Sequence, residues 1–310
     1  MNRKAAAIAA VMAVTALAGC SRSESEPVTT APPIETVVIT EETTVTTTET
    51  TTETTTETES PETEPTVTTT EEGPLVQLPD LDSYVRSNSD TAGWINVPGT
   101  FINNAVVQCD NNDYYLNHNF DGGYSEAGWI FADYRGVVND FSNKQCDNII
   151  LYGHNQANGT MFGTLQYYKV THQNTSRFDF YLEHPTFEFS NLYHQYTYKI
   201  VAVFVLETLE SQVRDGKLFD YQNYIIFGKD SYTYEEWIEQ IMSRTEIDTG
   251  VDVQKGDKFL TLSTCSNEFD NSRFIVVGRR VREGEDPNVD TSLATLNTDA
   301  IEPDWNYIYS

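Results

Sequence analysis

Apolar positions in this chain fall in short runs broken by glycine, proline and asparagine, the spacing of β-strands rather than of long helices. Eight such runs, at residues 94–97, 105–109, 127–133, 148–153, 186–191, 195–207, 258–264 and 273–282, read as strands. The turn pair Pro98-Gly99 closes the first of them, and a further short candidate lies at 222–227. Helical signals are fewer. Residues 80–89 read as a short helix, and Thr160 to Tyr168 as a helical turn that buries Met161, Phe162 and Leu165. The clearest helix is 231–247, where Ser231 or Thr233 caps, Glu235 and Glu236 favour the N-terminus, and Trp237, Ile238 and Ile241 form one apolar stripe. Many short strands with few helices predict a mainly β fold with peripheral helices, and closure into a barrel disposes of the sheet edges.

Ahead of Leu75 this pattern is absent. Residues 1–20 have a basic start (Arg3, Lys4), an apolar middle and a small-residue end, which is the form of an export signal. The ending Leu17-Ala18-Gly19-Cys20 resembles the lipobox of bacterial lipoproteins, which implies lipidation of Cys20 and a membrane anchor of two acyl chains on one lipid. An ordinary cleaved signal and an uncleaved N-terminal anchor fit the same residues. From 21 to 73 threonine and glutamate repeat with scattered prolines, so too little apolar surface is available to offset backbone entropy and a disordered tether is expected. Fully extended it reaches about 170 Å, and as an ideal coil about 40 Å. The expected layout is therefore an export signal at 1–20, a tether at 21–73, one folded domain at 74–283 and an acidic, weakly patterned tail at 284–310.

Of the 310 residues 39% are hydrophobic, and the formal net charge is −28, which argues against nucleic acid or an anionic membrane surface as partner. The four cysteines, Cys20, Cys109, Cys146 and Cys265, include no CxxC pair and no zinc-type spacing with histidine, so neither a metal nor another cofactor is expected. Cys109 and Cys146 either pair with each other or remain as buried thiols.

The stretch 258–280, KFLTLSTCSNEFDNSRFIVVGRR, carries the candidate chemistry. Cys265 follows one apolar strand and Arg273 opens the next, so both lie at a sheet rim that a substrate can reach. A thiol is a weak nucleophile without a base or a cation beside it, and His154, directly after the apolar run of NIILYG, is the best partner. Arg273 would supply positive charge to a developing oxyanion. Ser263 shares the face of Cys265 by alternation and is a possible supporting member. No carboxylate is evident to orient His154, since Glu268 and Asp270 lie in the loop after the cysteine. His118, His172, His184 and His194 sit among polar residues and read as surface or structural.

TLSTC with Arg273 eight positions on, and LYGHN well upstream, resembles the sortases, specifically class B. GWINVPGTFINNAVVQCDNNDYYLNHNF at 93–120 and GWIFADYR at 128–135 are similar to the early strands of that class, and the resemblance spans about residues 80–282. It implies a closed barrel of about eight strands, with an N-terminal helix and a helix before the cysteine strand. It also implies a cysteine transpeptidase: Cys265 attacks a threonine carbonyl in the sorting signal of an exported protein, forming a thioacyl enzyme. His154 protonates the leaving amine and then activates an amine of a peptidoglycan precursor or a pilin. The implied location is the outer face of the cytoplasmic membrane. A lipid anchor would depart from the usual sortase, which is held by a transmembrane helix. The rival readings are a non-catalytic surface lipoprotein, which explains residues 1–73 but not 258–280, and a purely hydrolytic cysteine protease. No LPxTG-like sorting signal with an apolar span and basic tail is seen near the C-terminus, so the chain is expected to be the enzyme rather than its substrate.

Overall fold

Residues 77–139, 146–170, 177–214, 217–225 and 232–310 are described by a computed structural model; the export-signal pattern, Cys20, the Thr/Glu tract, His172 and Ser231 lie outside them. Eight strands close into one barrel: β1 (Thr91–Asn96), β2 (Asn103–Val107), β3 (Phe131–Ala132), β4 (Asn148–Tyr152), β5 (Thr186–Asn191), β6 (Gln195–Leu206), β8 (Phe259–Cys265) and β9 (Arg273–Arg280). Around the barrel their order is β1, β2, β3, β4, β8, β9, β6, β5, and β5 pairs back onto β1. Two neighbouring pairs, β2 with β3 and β4 with β8, are parallel, and the rest are antiparallel.

The parallel pairing of β4 and β8 decides the architecture of the rim. Parallel strands need a long crossover, and here it includes α2 (Arg177–Glu183), β5, β6 and α3 (Tyr234–Arg244). Both strands are buried along almost their whole length, which is why each reads as a continuous apolar run. β6 is longer and buried from Tyr198 to Leu206, and it holds β9 on one side and β5 on the other. The core draws on Ile95, Val106, Leu151, Phe187, Phe204, Leu260 and Val276, all essentially inaccessible.

Helix α3 braces the cysteine strand from outside. Thr233 and Glu236 form a reciprocal capping box: Thr233 Oγ1 accepts from the Glu236 N–H at 3.2 Å, and the Glu236 carboxylate accepts from the Thr233 N–H at 2.7 Å. The apolar stripe puts Trp237 edge-on against Phe259, the first residue of β8, with ring centroids 4.8 Å apart. The short α1 (Asp82–Ser87) precedes β1, as the sequence leads one to expect.

Two runs differ from the sequence expectation. The run at 127–133 contributes only Phe131–Ala132 to the barrel. Gly128 has φ of 57°, and the Trp129 N–H donates to the Tyr115 carbonyl at 2.9 Å, so the preceding residues are tied to a loop instead of a strand. At 222–227 the chain opens with a single 3-10 turn, Tyr221–Asn223, set by the Asp220 side chain accepting from the Gln222 N–H; residues 226 and 227 lie outside the described ones. The C-terminal residues carry structure of their own. β10 (Thr295–Leu296) pairs with β7 (Ile247–Asp248), and α4 (Trp305–Ile308) follows. Among the described residues no helix is long and apolar enough to cross a membrane.

At the end of the barrel opposite to where β8 finishes, Arg279 is fully buried and holds Glu285 through two hydrogen bonds of 2.6 and 2.7 Å, with Lys199 donating to the same carboxylate at 2.7 Å. The Arg279 hydrogen bonds, acting against burial and helped by Lys199, hold the Glu285 carboxyl well below the usual carboxylate range.

Candidate active site

Topology brings the three sequence candidates to one rim. β4 and β8 run parallel, so both finish at the same end of the barrel, and β9, antiparallel to β8, begins there. Cys265 is the last residue of β8 and Arg273 the first of β9, and the two are direct register partners. On the other side of β8, Tyr152 is registered with Ser263. The two residues flanking His154 continue that pairing. Gly153 donates from its N–H to the Ser263 carbonyl at 3.3 Å and accepts from Thr264 Oγ1 at 2.8 Å, and Asn155 Nδ2 donates to the Cys265 carbonyl at 2.9 Å. His154 therefore lies alongside Thr264 and Cys265.

Local chemistry explains each placement. Gly153 is required where it stands: a Cβ there would come within 2.8 Å of the Phe162 ring, which packs the loop 155–162 back under the histidine. The loop closes through the Phe162 N–H donating to the His154 carbonyl at 2.9 Å. His154 Nε2 lies 2.8 Å from the carbonyl oxygen of Leu116. A carbonyl can only accept, so Nε2 carries the hydrogen, and the basic lone pair of the neutral ring is on Nδ1. No carboxylate was evident in the sequence to orient this ring; the group bonded to Nε2 is a backbone oxygen, which has no signature in residue type.

Glu268 has a different partner. It pairs with Lys169, whose Nζ also donates to the Ser266 carbonyl at 3.0 Å. Asp270 is exposed. The Cys265 carbonyl receives a second donor, Gln166 Nε2, at 3.3 Å, so the backbone beneath the sulfur is fixed from the 155–168 segment. Cys265 and Arg273 are both half-buried, and Arg273 Nη1 donates to the Ser272 carbonyl at 3.0 Å.

Ser263 is buried and its hydroxyl lies 2.8 Å from the hydroxyl of Tyr221. Burial pushes the Tyr221 phenol up, and the Arg273 charge and the Ser263 hydrogen bond recover only part of that rise, so the phenol stays neutral. Sequence reading did not single out Tyr221, because it lies far from the motifs, in the segment 217–225. A second buried polar group meets the Tyr152 side chain at the end of β4. Asp133 accepts from Arg135 Nε at 2.9 Å and Nη2 at 2.8 Å, and from the Tyr152 hydroxyl at 2.8 Å. Burial pushes its carboxyl up, but the Arg135 hydrogen bonds and charge outweigh burial and hold it below the usual carboxylate range. Cys109 and Cys146 are separate thiols, each donating to a nearby backbone carbonyl, of Asn111 at 3.3 Å and Asn148 at 3.4 Å. Among the described residues no group of acidic, histidine or cysteine side chains could hold a metal ion.

Comparison with known proteins gives this rim its context. The Sortase domain profile matches residues 95–281. This chain belongs to the sortase family. Sortase B of Listeria monocytogenes is 30% identical over 204 residues, covering 65% of this chain and 74% of that protein. Sortase B of Staphylococcus aureus is 28% identical over 206 residues, covering 66% and 75%. Among solved structures, a sortase B–substrate complex from Staphylococcus aureus matches with a TM-score of 0.54 at 29% identity over 66% of this chain and 86% of that one. Sortase B from Clostridium perfringens matches with a TM-score of 0.51 at 30% identity over 64% and 98%. The relatives and the closed eight-stranded barrel agree on class B, and the sortase is a cysteine transpeptidase. Sortases are membrane-associated or cell-surface enzymes.

Proposed function

We propose that Cys265 is the nucleophile, His154 the general acid and base, and Arg273 the oxyanion or substrate-positioning donor of a transpeptidation on the sorting signals of exported proteins. The observation that carries this reading is the strand register, which pairs Cys265 with Arg273 across β8 and β9 and sets His154 level with Cys265 on the parallel neighbour.

In the first half-reaction the thiol proton passes to His154, the sulfur attacks the threonine carbonyl to form a C–S bond, and the peptide C–N bond breaks as His154 gives that proton to the departing amine. In the second, His154 takes a proton from the incoming amine, whose nitrogen attacks the thioester carbonyl. A new amide forms and the sulfur leaves. Arg273 stands where charge develops on the carbonyl oxygen in both tetrahedral intermediates. Ser263, hydrogen-bonded to Tyr221, supports the end of β8 from within.

The acceptor amine belongs to a peptidoglycan precursor or a pilin. Residues 1–20 direct export, Cys20 is lipidated, and 21–73 tether the catalytic domain, 74–283, at the outer face of the cytoplasmic membrane. The Leu17-Ala18-Gly19-Cys20 ending and the Thr/Glu composition support that arrangement.

The test is the full-length chain incubated with a pool of fluorogenic pentapeptides and a primary amine. Amide product in excess of hydrolysis is expected, with Cys265→Ala giving neither product nor a trapped thioester. Full turnover by Cys265→Ala, or cleavage indifferent to the amine, overturns the reading. For the anchor, a fatty-acid analogue should label the wild-type chain and not Cys20→Ala; equal labelling of both excludes Cys20 as the acylated residue.

A further inference from the structure

The seven-residue loop 266–272 that joins Cys265 to Arg273 is gripped from three directions. Lys169 holds its first half through the Ser266 carbonyl and the Glu268 carboxylate. The connection after β6 holds its second half: Thr208 Oγ1 donates to the Asn271 carbonyl at 2.7 Å, and Gln212 Nε2 donates to the Asp270 carbonyl at 2.6 Å. The third grip comes from residues beyond 281, where the family match ends. The Tyr309 hydroxyl donates to the Glu268 carbonyl, and Trp305 packs edge-on against Phe269 with ring centroids 5.6 Å apart.

This C-terminal segment is itself tied down. β10 pairs with β7, the Asn297 N–H donates to the Glu246 carbonyl at 3.0 Å, and the Ile301 N–H donates to the Ser243 carbonyl at 2.8 Å. Arg214 donates to the Asp304 carboxylate at 2.7 and 2.9 Å and lies over the Tyr307 ring at 5.1 Å, which joins the second grip to the third. Asn267 and Asn271 turn the loop with φ of 69° and 61°, a left-handed conformation that asparagine adopts more readily than other non-glycine residues.

We propose that residues 294–310 act as a strap that positions the catalytic rim, with Trp305 and Tyr309 fixing Glu268 and Phe269 and thereby the placement of Cys265 relative to Arg273. The inference rests on the assignment of those two residues as the reactive pair. Trp305 and Tyr309 contact the loop behind the chemistry, so they are positioning residues. A small displacement of a reacting group costs rate more than it costs substrate affinity. Loosening the strap should therefore lower kcat and leave KM nearly unchanged.

The experiment compares the full-length wild type with Tyr309→Phe, Trp305→Ala, their combination, and Trp305→Phe. Each is measured for kcat and KM with the best peptide of the pool, for the rate of Cys265 alkylation by iodoacetamide, and for Tm. The combined variant should lose about tenfold in kcat with KM changed less than twofold, and its alkylation rate should differ from wild type by at least threefold. Trp305→Phe, which keeps a ring against Phe269, should restore at least half of the loss caused by Trp305→Ala. Wild-type kcat and alkylation rate in the combined variant overturn the proposal. So does a change confined to KM, which would make the segment part of the substrate wall, or a loss that follows Tm alone. Alkylation needs no turnover, so a wild type inert toward peptides defeats the transpeptidase reading while the thiol rates still decide the strap.

Discussion

Cys265 and Arg273 face each other as the terminal pair of the β8–β9 ladder, so the sulfur and the guanidinium are placed by backbone hydrogen bonding and not by loop conformation alone. Residues directly opposite each other in an antiparallel ladder are held about 4.5–5.5 Å apart at Cα, close enough for one to act on charge formed at the other. Replacing Arg273 by alanine should lower kcat/KM by about 10²-fold or more, the usual cost of removing one oxyanion donor, with Tm close to wild type. Lysine at 273 should recover only part of the loss, because an ammonium cannot reproduce the planar fork. Steady-state kinetics of the two variants check this; wild-type kcat/KM in Arg273→Ala removes the residue from the mechanism.

The donors beneath the sulfur give a second, smaller effect. Asn155 Nδ2 and Gln166 Nε2 converge on the Cys265 carbonyl at 2.9 and 3.3 Å. Each is a hydrogen bond worth about 0.5–1.5 kcal/mol, and its loss frees the end of β8 without touching substrate. Asn155→Ala should lower kcat about fivefold to tenfold, and Gln166→Ala, with the longer contact, by less. KM for the peptide should be unchanged in both. An effect on KM alone would place these amides in substrate binding instead.

The barrel was legible because β4, β6, β8 and β9 are buried on both faces along most of their length, and a continuous run such as Ile200 to Leu206 can be little else between turn residues. The three candidate side chains were legible for the same reason: each stands at the end of such a run. What escaped notice has no local signature. β7 and β10 are two-residue strands that meet across some fifty residues of chain. The α2 sequence RFDFYLE is short and aromatic, and its only fully buried side chain is Tyr181, so no stripe announces it. The partner of His154 is a carbonyl, and the grip of Trp305 and Tyr309 on the 266–272 loop joins two segments with no shared pattern.

Arg279 and Glu285 allow a test of the fold independent of activity. Arg279 is inaccessible, and removing Glu285 leaves its charge facing the more exposed Asp252 carboxylate at 3.7 Å in place of two short hydrogen bonds. Glu285→Ala should cost about 3 kcal/mol, or roughly 6–12 °C in Tm for a domain of this size. The Glu285 carboxyl is held well below its ordinary range in the folded chain, so its contribution is present above the unfolded pKa, near 4.3, and is lost as pH falls toward the folded value. Thermal melts between pH 7 and pH 3 should show wild type converging on Glu285→Gln as the pH drops. A constant gap over that range would mean that the pair contributes no acid sensitivity.

Glu246 should behave in the opposite sense. It lies between α3 and β7, where its Oε2 is shielded and has no hydrogen-bond partner among the described residues. Burial pushes its carboxyl up to about 8, and Glu302 from the C-terminal segment and Glu268 from the active-site loop add to the rise, while Lys169 and the Val170 N–H oppose it. The folded chain thus holds this proton more tightly than the unfolded one. The stability it contributes is complete below about pH 4.3 and is lost as pH rises through the folded value of about 8. Glu246→Gln keeps the neutral shape and cannot ionise. Its Tm should match wild type near pH 4 and exceed it by a margin that widens steadily as the pH rises to 8.5. Because Glu302 and Glu268 both face the new charge, the wild-type loss should be accompanied by faster hydrogen exchange in 301–310 and 266–272. Parallel Tm curves for the two proteins from pH 5 to pH 8.5 would show that Glu246 ionises without cost where it stands.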